Sequence, residues 1–254
     1  MKELISLLSK KNLTLVNSGN AAIFCALYLA KEQGKTKVLI PKEGGWFSYK
    51  HYPKMLGMEI IEVNCDWALL SLDDLKDKID EKSVLLYSTS GGYFVDHPQK
   101  KIYDLCKKKK CLVIADVTPT IGKSESYGDF IVASTGKQKP LGISFGGFIA
   151  SDLDLVSNVF SLFNFPEEFE SKLKVRVKEL PKIWKAYDAK KKELLPLFSE
   201  FDIKYQDSLN ILVTGDLNEI IKVCVNNKIP FVKCPKYHKV KKKAISIEIK
   251  KMFD

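Results

Sequence analysis

The stretch Ser134-Thr-Gly-Lys-Gln-Lys139-Pro-Leu-Gly-Ile-Ser-Phe-Gly146-Gly147 lies between two apolar segments, Asp129-Phe-Ile-Val-Ala and Phe148-Ile-Ala-Ser, that both read as strands. A lysine held in an inter-strand loop among small residues is poorly placed for packing and well placed for an amine that a planar ligand must approach. Such an amine forms a Schiff base with an aldehyde when its surroundings leave it neutral. The competing reading is a solvated loop lysine, in a chain where Arg176 is the single arginine among 41 basic residues.

Outward from this loop, short apolar runs alternate with segments of helical spacing. Leu13–Val16, Lys37–Pro41, Glu59–Val63, Ser83–Tyr87 and Cys111–Ala115 read as strands, and helices are expected between them. That alternation predicts an α/β fold with a mainly parallel sheet covered on both faces. In such sheets ligands bind outside the carboxyl ends of the strands. Ser18-Gly19, Gly44-Gly45-Trp46, Ser88–Gly92, Asp116 and Lys139 all fall at that edge. After residue 152 the pattern changes. Helices are expected over 153–162 and, with an interruption at Pro181, over 166–199, followed by strand, helix, strand and strand in the tail. The expected division is a large domain over 1–160, a connecting long helix over 161–200 and a small C-terminal α/β domain over 201–254.

Composition sets the remaining bounds. At 254 residues, with 45% hydrophobic and 28% charged residues, the chain has the make-up of a globular protein able to bury a sizeable core. No apolar run approaches the roughly 18–20 residues of a membrane span, and the start carries charge at once, so a cytoplasmic location is expected. The six cysteines form no CxxC pair and read as buried thiols; no metal site is expected. A net charge of +10 with lysine runs at 107–110 and 241–243 raises nucleic acid as a partner. Bidentate recognition of bases and phosphates rests on arginine, which is nearly absent, so nucleic acid is not expected as a partner and the runs read as solvated surface.

Two strand-end constellations carry chemistry. Ser18-Gly19-Asn20-Ala21-Ala22 stands where a strand gives way to a helix; free amides and the helix dipole there make an anion site, and the same residues suit a simple cap. The spacing of a dinucleotide or P-loop motif is missing. Asp116 ends the apolar run Cys-Leu-Val-Ile-Ala-Asp. A carboxylate there needs a partner: a cap, a metal, with Asp129 as the obvious companion, or a protonated heterocycle.

In their order and spacing these residues resemble the fold-type-I pyridoxal-phosphate enzymes, and among them the DegT/DnrJ/StrS sugar aminotransferases. The Ser18–Ala22 turn is similar to that family's phosphate-binding turn, with Asn20 in place of Thr. Trp46 precedes Leu56-Gly57 at the spacing of its ring-stacking aromatic. Asp116-Val-Thr-Pro-Thr-Ile-Gly122 resembles its strand-ending Asp segment. Ser134, five residues before Lys139, and Gly146-Gly147 after it match the surroundings of its Schiff-base lysine, which singles out Lys139 over Lys137.

The resemblance implies an aspartate-aminotransferase-like, three-layer α/β/α large domain and a homodimer with shared active sites. Pyridoxal 5'-phosphate would be held by Ser18, Gly19, Asn20, Trp46, Asp116, Ser134 and Lys139, with Lys139 and Asp116 catalytic. The implied activity is amino transfer to a keto sugar or related small carbonyl compound. The departures are Pro119, where the family has Gln or His, and Asn164 with no arginine following it. His51 reads first as a surface or satisfied-core residue and second as one able to approach the cofactor, and His238 as part of the basic tail; Arg176 is the one candidate to grip a substrate carboxylate, and a keto sugar nucleotide, which does not require that grip, fits better. The alternatives are elimination, β-replacement or aminoacyl-tRNA-linked chemistry on the same cofactor, or a non-catalytic binding or regulatory protein of this fold.

Overall fold

Seven strands form one sheet: β1 (Asn12–Val16), β2 (Lys37–Pro41), β3 (Glu59–Val63), β4 (Ser83–Ser88), β5 (Leu112–Asp116), β6 (Phe130–Ser134) and β7 (Gly147–Ser151), in the order β1-β7-β6-β5-β4-β2-β3. The computed structural model describes residues 1–253. From β3 to β6 every neighbouring pair is parallel, while β7 runs antiparallel to both β6 and β1. The carboxyl ends of β1, β2, β4, β5 and β6 therefore share one edge. The Lys139 loop is the hairpin that returns from Ser134 to its register partner Gly147 at that edge.

Residue alternation along each strand decides which face is filled. Val38, Ile40, Val84, Leu86, Ile114 and Val132 belong to one buried cluster with Ala22, Cys25, Ala26 and Leu29 of helix α2 (Gly19–Glu32) and Tyr49 of α3 (Ser48–Met55). Their neighbours Leu39, Leu85, Val113 and Ile131 face the other way. These pack with Leu4 and Leu8 of α1 (Lys2–Leu8), Leu75 of α4 (Leu72–Lys78) and Ile102 and Cys106 of α5 (Gln99–Lys108). This period-two division produces the three-layer arrangement.

The long helix α6 (Glu168–Leu194) lays Leu173, Val177, Leu180, Trp184 and Leu194 into that second cluster. The same cluster continues into a four-stranded antiparallel sheet of β8 (Asp202–Tyr205), β9 (Ile211–Thr214), β10 (Phe231–Lys233) and β11 (Ile245–Ile247), ordered β8-β9-β11-β10, with α7 (Leu217–Asn226) packed on it.

Several expectations change. Residues 153–162 hold only a 3-10 turn, Asn158–Leu162, because Asn12 Nδ2 ties the Leu153 carbonyl and Ser157 caps a later start. α6 continues through Pro181, whose ring nitrogen leaves the Val177 carbonyl without its intrahelical donor. It then tightens to a 3-10 turn at Leu195–Phe198, where Pro196 prevents a further α-turn. The third helix begins at Ser48 rather than Trp46, leaving Gly44-Gly45-Trp46 as a turn. The strand expected at 229–232 lies at Phe231–Lys233. The edge strand β8 escapes a sequence reading because only its alternate residues are partly covered.

Candidate active site

Two adjoining cavities, about 200 and 160 Å³, open at the carboxyl edge of the large sheet. Trp46, Tyr93, Asp116 and Lys139 line both. The smaller one is also bounded by Ser18, Gly19, Asn20 and Ser134, so all seven residues singled out in the sequence meet around one space.

Its floor is built by close backbone approach. Ser18 caps α2, its hydroxyl accepting from Ala21 N at 3.1 Å, and Ala22 N donates to the Ser18 carbonyl. The Gly19 and Asn20 amides precede these first helical bonds, which is the arrangement that binds anions at a helix start. A Cβ on Gly19 would stand 2.5 Å from the Cβ of Ser134, and one on Gly147 would stand 2.7 Å from Gly19 N. Only glycine lets these segments close on one another. Thr118 joins the next two elements, its hydroxyl donating to Asp116 Oδ1 at 2.5 Å and accepting from Ser134 N at 2.9 Å.

Asp116 is buried, and burial pushes its carboxyl above the usual range, against the pull of Thr118, Tyr49 and the Lys139 charge. On the same cavities, Lys139 donates to Tyr93 Oη at 3.3 Å, and its Nζ lies 5.0 Å from the Tyr93 ring and 5.5 Å from the Trp46 ring. Burial holds this amine below the ordinary lysine range. Gln138, at φ 61°, is in the left-handed region just before it. Lys137 is exposed on the same loop. Trp46 Nε1 donates to Asn20 Oδ1 at 3.1 Å, fixing the indole over the smaller cavity.

The larger cavity contains residues that sequence reasoning missed. The loop between β10 and β11 brings in His238 and Lys239, and the segment just after β11 brings in Glu248 and Lys250. Glu248 Oε1 accepts from Lys239 Nζ at 2.5 Å, Ser246 Oγ at 2.8 Å and Asn210 Nδ2 at 3.2 Å. The lysines beside this buried carboxyl hold it down to about 2. A signal was present: Glu248 is a lone carboxylate in the apolar run Ala244-Ile-Ser-Ile-Glu-Ile, the same mark that drew attention to Asp116. Tyr49 lies one helical turn beyond Trp46, and Tyr93 follows Gly91-Gly92 with φ 74°.

His51 is exposed on α3 and lines neither cavity, in keeping with its surface reading, whereas His238, read as part of the basic tail, does line one, with burial lowering its pKa to about 4. Arg176 donates through Nε to the Pro140 carbonyl at 3.1 Å, so it props the Lys139 loop from behind. Asp129, at the start of β6, lies at the opposite sheet edge from Asp116 and accepts from Lys107 and Val113 N. Asn164 lines a separate shallow recess with Leu13 and Phe163.

A half-buried amine, a buried carboxyl short of a cation, an indole and a helix-start anion site around one cavity fit a planar heterocycle bearing a phosphate and a carbonyl. The profile of the aminotransferase class I and II family matches residues 1–134. The chain belongs to that family. No curated protein matches the sequence. Among solved structures, a DegT/DnrJ/EryC1/StrS aminotransferase from Brucella abortus aligns with a TM-score of 0.78 at 12% identity, covering 97% of this chain and 83% of that one. Spr1654 of Streptococcus pneumoniae, described as a sugar aminotransferase, aligns in its apo form with a TM-score of 0.77 at 12% identity, over 97% and 83% of the two chains. A sphingosine-1-phosphate lyase from Burkholderia pseudomallei aligns at 0.79 and 10% identity, over 97% and 69%. The fold is that of these fold-type-I proteins.

Proposed function

We propose that this chain is a pyridoxal-phosphate-dependent transferase that moves an amino group to or from a small carbonyl compound, a keto sugar being the favoured class. The observation that carries this reading is the meeting of the Lys139 amine, the Asp116 carboxyl and the Trp46 indole around one cavity. Bound there, pyridoxal phosphate would supply an electron sink for carbanion chemistry.

The residues divide that work. Ser18, Gly19, Asn20 and Ser134 would hold the phosphate, and Trp46 would cover the ring. Asp116 would keep the ring nitrogen protonated. The pyridinium charge supplies the cation that this buried carboxyl is short of, and the carboxyl in turn favours the charged ring. Lys139 would anchor the cofactor and then move a proton at Nζ, a role that suits an amine whose pKa is lowered towards the working range. Tyr93 Oη, beside Nζ, would orient that transfer.

The keto-sugar preference draws on the second cavity. Arg176 is committed to the Pro140 carbonyl and offers no fork to a substrate carboxylate. Tyr93 and His238 instead give flat walls with single polar tips, a lining suited to hydroxyl-bearing rings. The aminotransferase among the solved neighbours favours transfer, whereas the lyase shows that the fold also serves bond cleavage. The same reading takes residues 1–160 as the cofactor-binding domain, 161–200 as the connector and 201–254 as the domain that closes the pocket, within a cytoplasmic homodimer.

The test is direct. Pyridoxal phosphate is added to purified protein, the adduct is reduced with borohydride and the labelled lysine is mapped; label anywhere but Lys139 defeats the site. Half-transamination by a panel of amino acids then separates transfer from other chemistry. Labelling with no turnover would point to a binding protein.

A further inference from the structure

The loop between β10 and β11 is braced against the turn that carries Trp46. Gly44 N donates to the Tyr237 carbonyl at 2.8 Å, and Tyr237 Oη donates to the Pro41 carbonyl at 3.3 Å. Lys239 Nζ reaches Glu248 at 2.5 Å and the Gly92 carbonyl at 3.0 Å. Within the loop, Lys236 N donates to the Val240 carbonyl and Lys239 N to the Lys236 carbonyl, closing a turn. Glu43, buried just after β2, joins the two sides. Its Oε1 accepts from Ala68 N at 2.8 Å and its Oε2 from Lys241 N at 2.5 Å.

The side chain that this bracing presents is His238, held through the residue on either side of it. Its ring centroid stands 5.0 Å from that of Phe47 and 6.2 Å from that of Trp46, and it borders the larger cavity. Burial lowers its pKa to about 4, so the ring is neutral at physiological pH and offers one N–H and one lone pair. Its Nδ1 is buried and meets no protein partner among the described residues. Any aromatic ring would fill the space beside Trp46 and Phe47; the hydrogen-bonding capacity of the imidazole is what packing leaves unused. A polar group fixed in advance at a cavity wall lends selectivity without an ordering cost on binding. We propose that His238 is a specificity-determining residue that hydrogen-bonds a hydroxyl or carbonyl oxygen of the substrate, and that Glu43 is the positioning residue that holds it there. This rests on the reading of the adjoining cavity as the cofactor site, and it narrows the substrate to a compound that bears an oxygen beyond its reacting carbon.

The test uses the whole protein without cofactor and two probes, the borohydride-reduced adducts of pyridoxal phosphate with glucosamine and with cyclohexylamine. The probes share the cofactor portion and a six-membered ring, and they differ in the hydroxyls. Calorimetry gives the dissociation constant of each. His238→Phe should weaken the glucosamine adduct by about three- to tenfold, the range of one neutral hydrogen bond, and leave the cyclohexylamine adduct unchanged. His238→Gln, which keeps a donor and an acceptor, should recover part of the loss. Glu43→Gln offers one acceptor to two amides. It should weaken the glucosamine adduct selectively and, in hydrogen exchange on the unliganded protein, speed exchange at the Ala68 or Lys241 amide while β4 and β5 stay protected. Equal affinity changes for the two adducts in His238→Phe, or none, overturn the recognition role. Faster exchange in Glu43→Gln with both affinities unchanged reduces Glu43 to a structural brace and overturns its positioning role. The wild type separates this proposal from the cofactor reading. Failure to bind either adduct removes that reading and the role of His238 with it, whereas binding of both with no selective loss in the variants removes His238 and Glu43 alone.

Discussion

Tyr49 donates its phenolic hydrogen to Asp116 Oδ2 at 2.8 Å, while Thr118 gives Oδ1 both its amide and its hydroxyl. Helix α3 and the β5 loop thus clamp one buried carboxylate from two sides and fix its direction toward the cavity. Tyr49→Phe removes a bond to a charged acceptor, typically about 1.5–3 kcal/mol. Pyridoxal-phosphate affinity should fall about tenfold or more, read by absorbance titration, with Lys139 still the labelled residue.

Asp116→Asn should separate stability from binding. Burial raises the folded carboxyl above its unfolded value, so the unfolded chain releases this proton first. Stability therefore declines as pH rises from the unfolded value through the folded one, and at neutral pH the burial of this carboxyl carries a cost. The asparagine variant should resist urea better than the wild type at neutral pH without cofactor, yet bind pyridoxal phosphate far more weakly. Lower cofactor-free stability would count against the strained-carboxylate account.

Lys139→Ala should abolish the borohydride-stable label and slow half-transamination by about 10²–10⁴-fold, the usual range for a lost proton-transfer group. Lys137→Ala should change neither, since that side chain points into solvent from the same loop. The pair of variants tests position rather than lysine content.

Glu248→Gln should cost about 3–5 kcal/mol in denaturant unfolding, because Lys239, 3% exposed, would remain buried without its anion. Replacing both partners together, Lys239→Met with Glu248→Leu, should recover most of that loss. The pH dependence has a definite sign. Glu248 is held at about 2 in the folded state against about 4.5 for a free glutamate, so its stabilisation is complete above about 4.5 and is lost as pH falls toward about 2.

His97 is buried edge-on against Tyr87, and burial lowers its pKa to about 4. The unfolded chain takes up this proton near 6.5, before the folded chain does. Stability should therefore drop as pH falls from about 6.5 toward about 4. His97→Phe should flatten that part of the curve in urea unfolding measured across the range. An unchanged slope would exclude His97 as its source.

What the sequence determined by itself is local in origin. Apolar runs of strand length, with small, acidic or lysine residues at their ends, place Ser18, Trp46, Asp116, Ser134 and Lys139 at one sheet edge once the strands lie side by side, because each is tied to the end of its own strand. Tertiary structure alone decided the rest. The antiparallel return of β7 turns the Lys139 loop into a hairpin closed by Gly19 and Gly147 at backbone contact. Arg176, the one arginine that a substrate carboxylate could have met, supports the loop from behind. Lys239, Glu248 and Lys250 arrive about a hundred residues later in the chain, from the loop before β11 and the segment after it, and no spacing or period in the sequence reports that they line the same cavity as Tyr93 and Lys139. The physical reason is that strand identity follows from side chains a few residues apart. A buried ion pair such as Lys239 with Glu248 follows from where distant segments pack, and from the low-dielectric space they enclose.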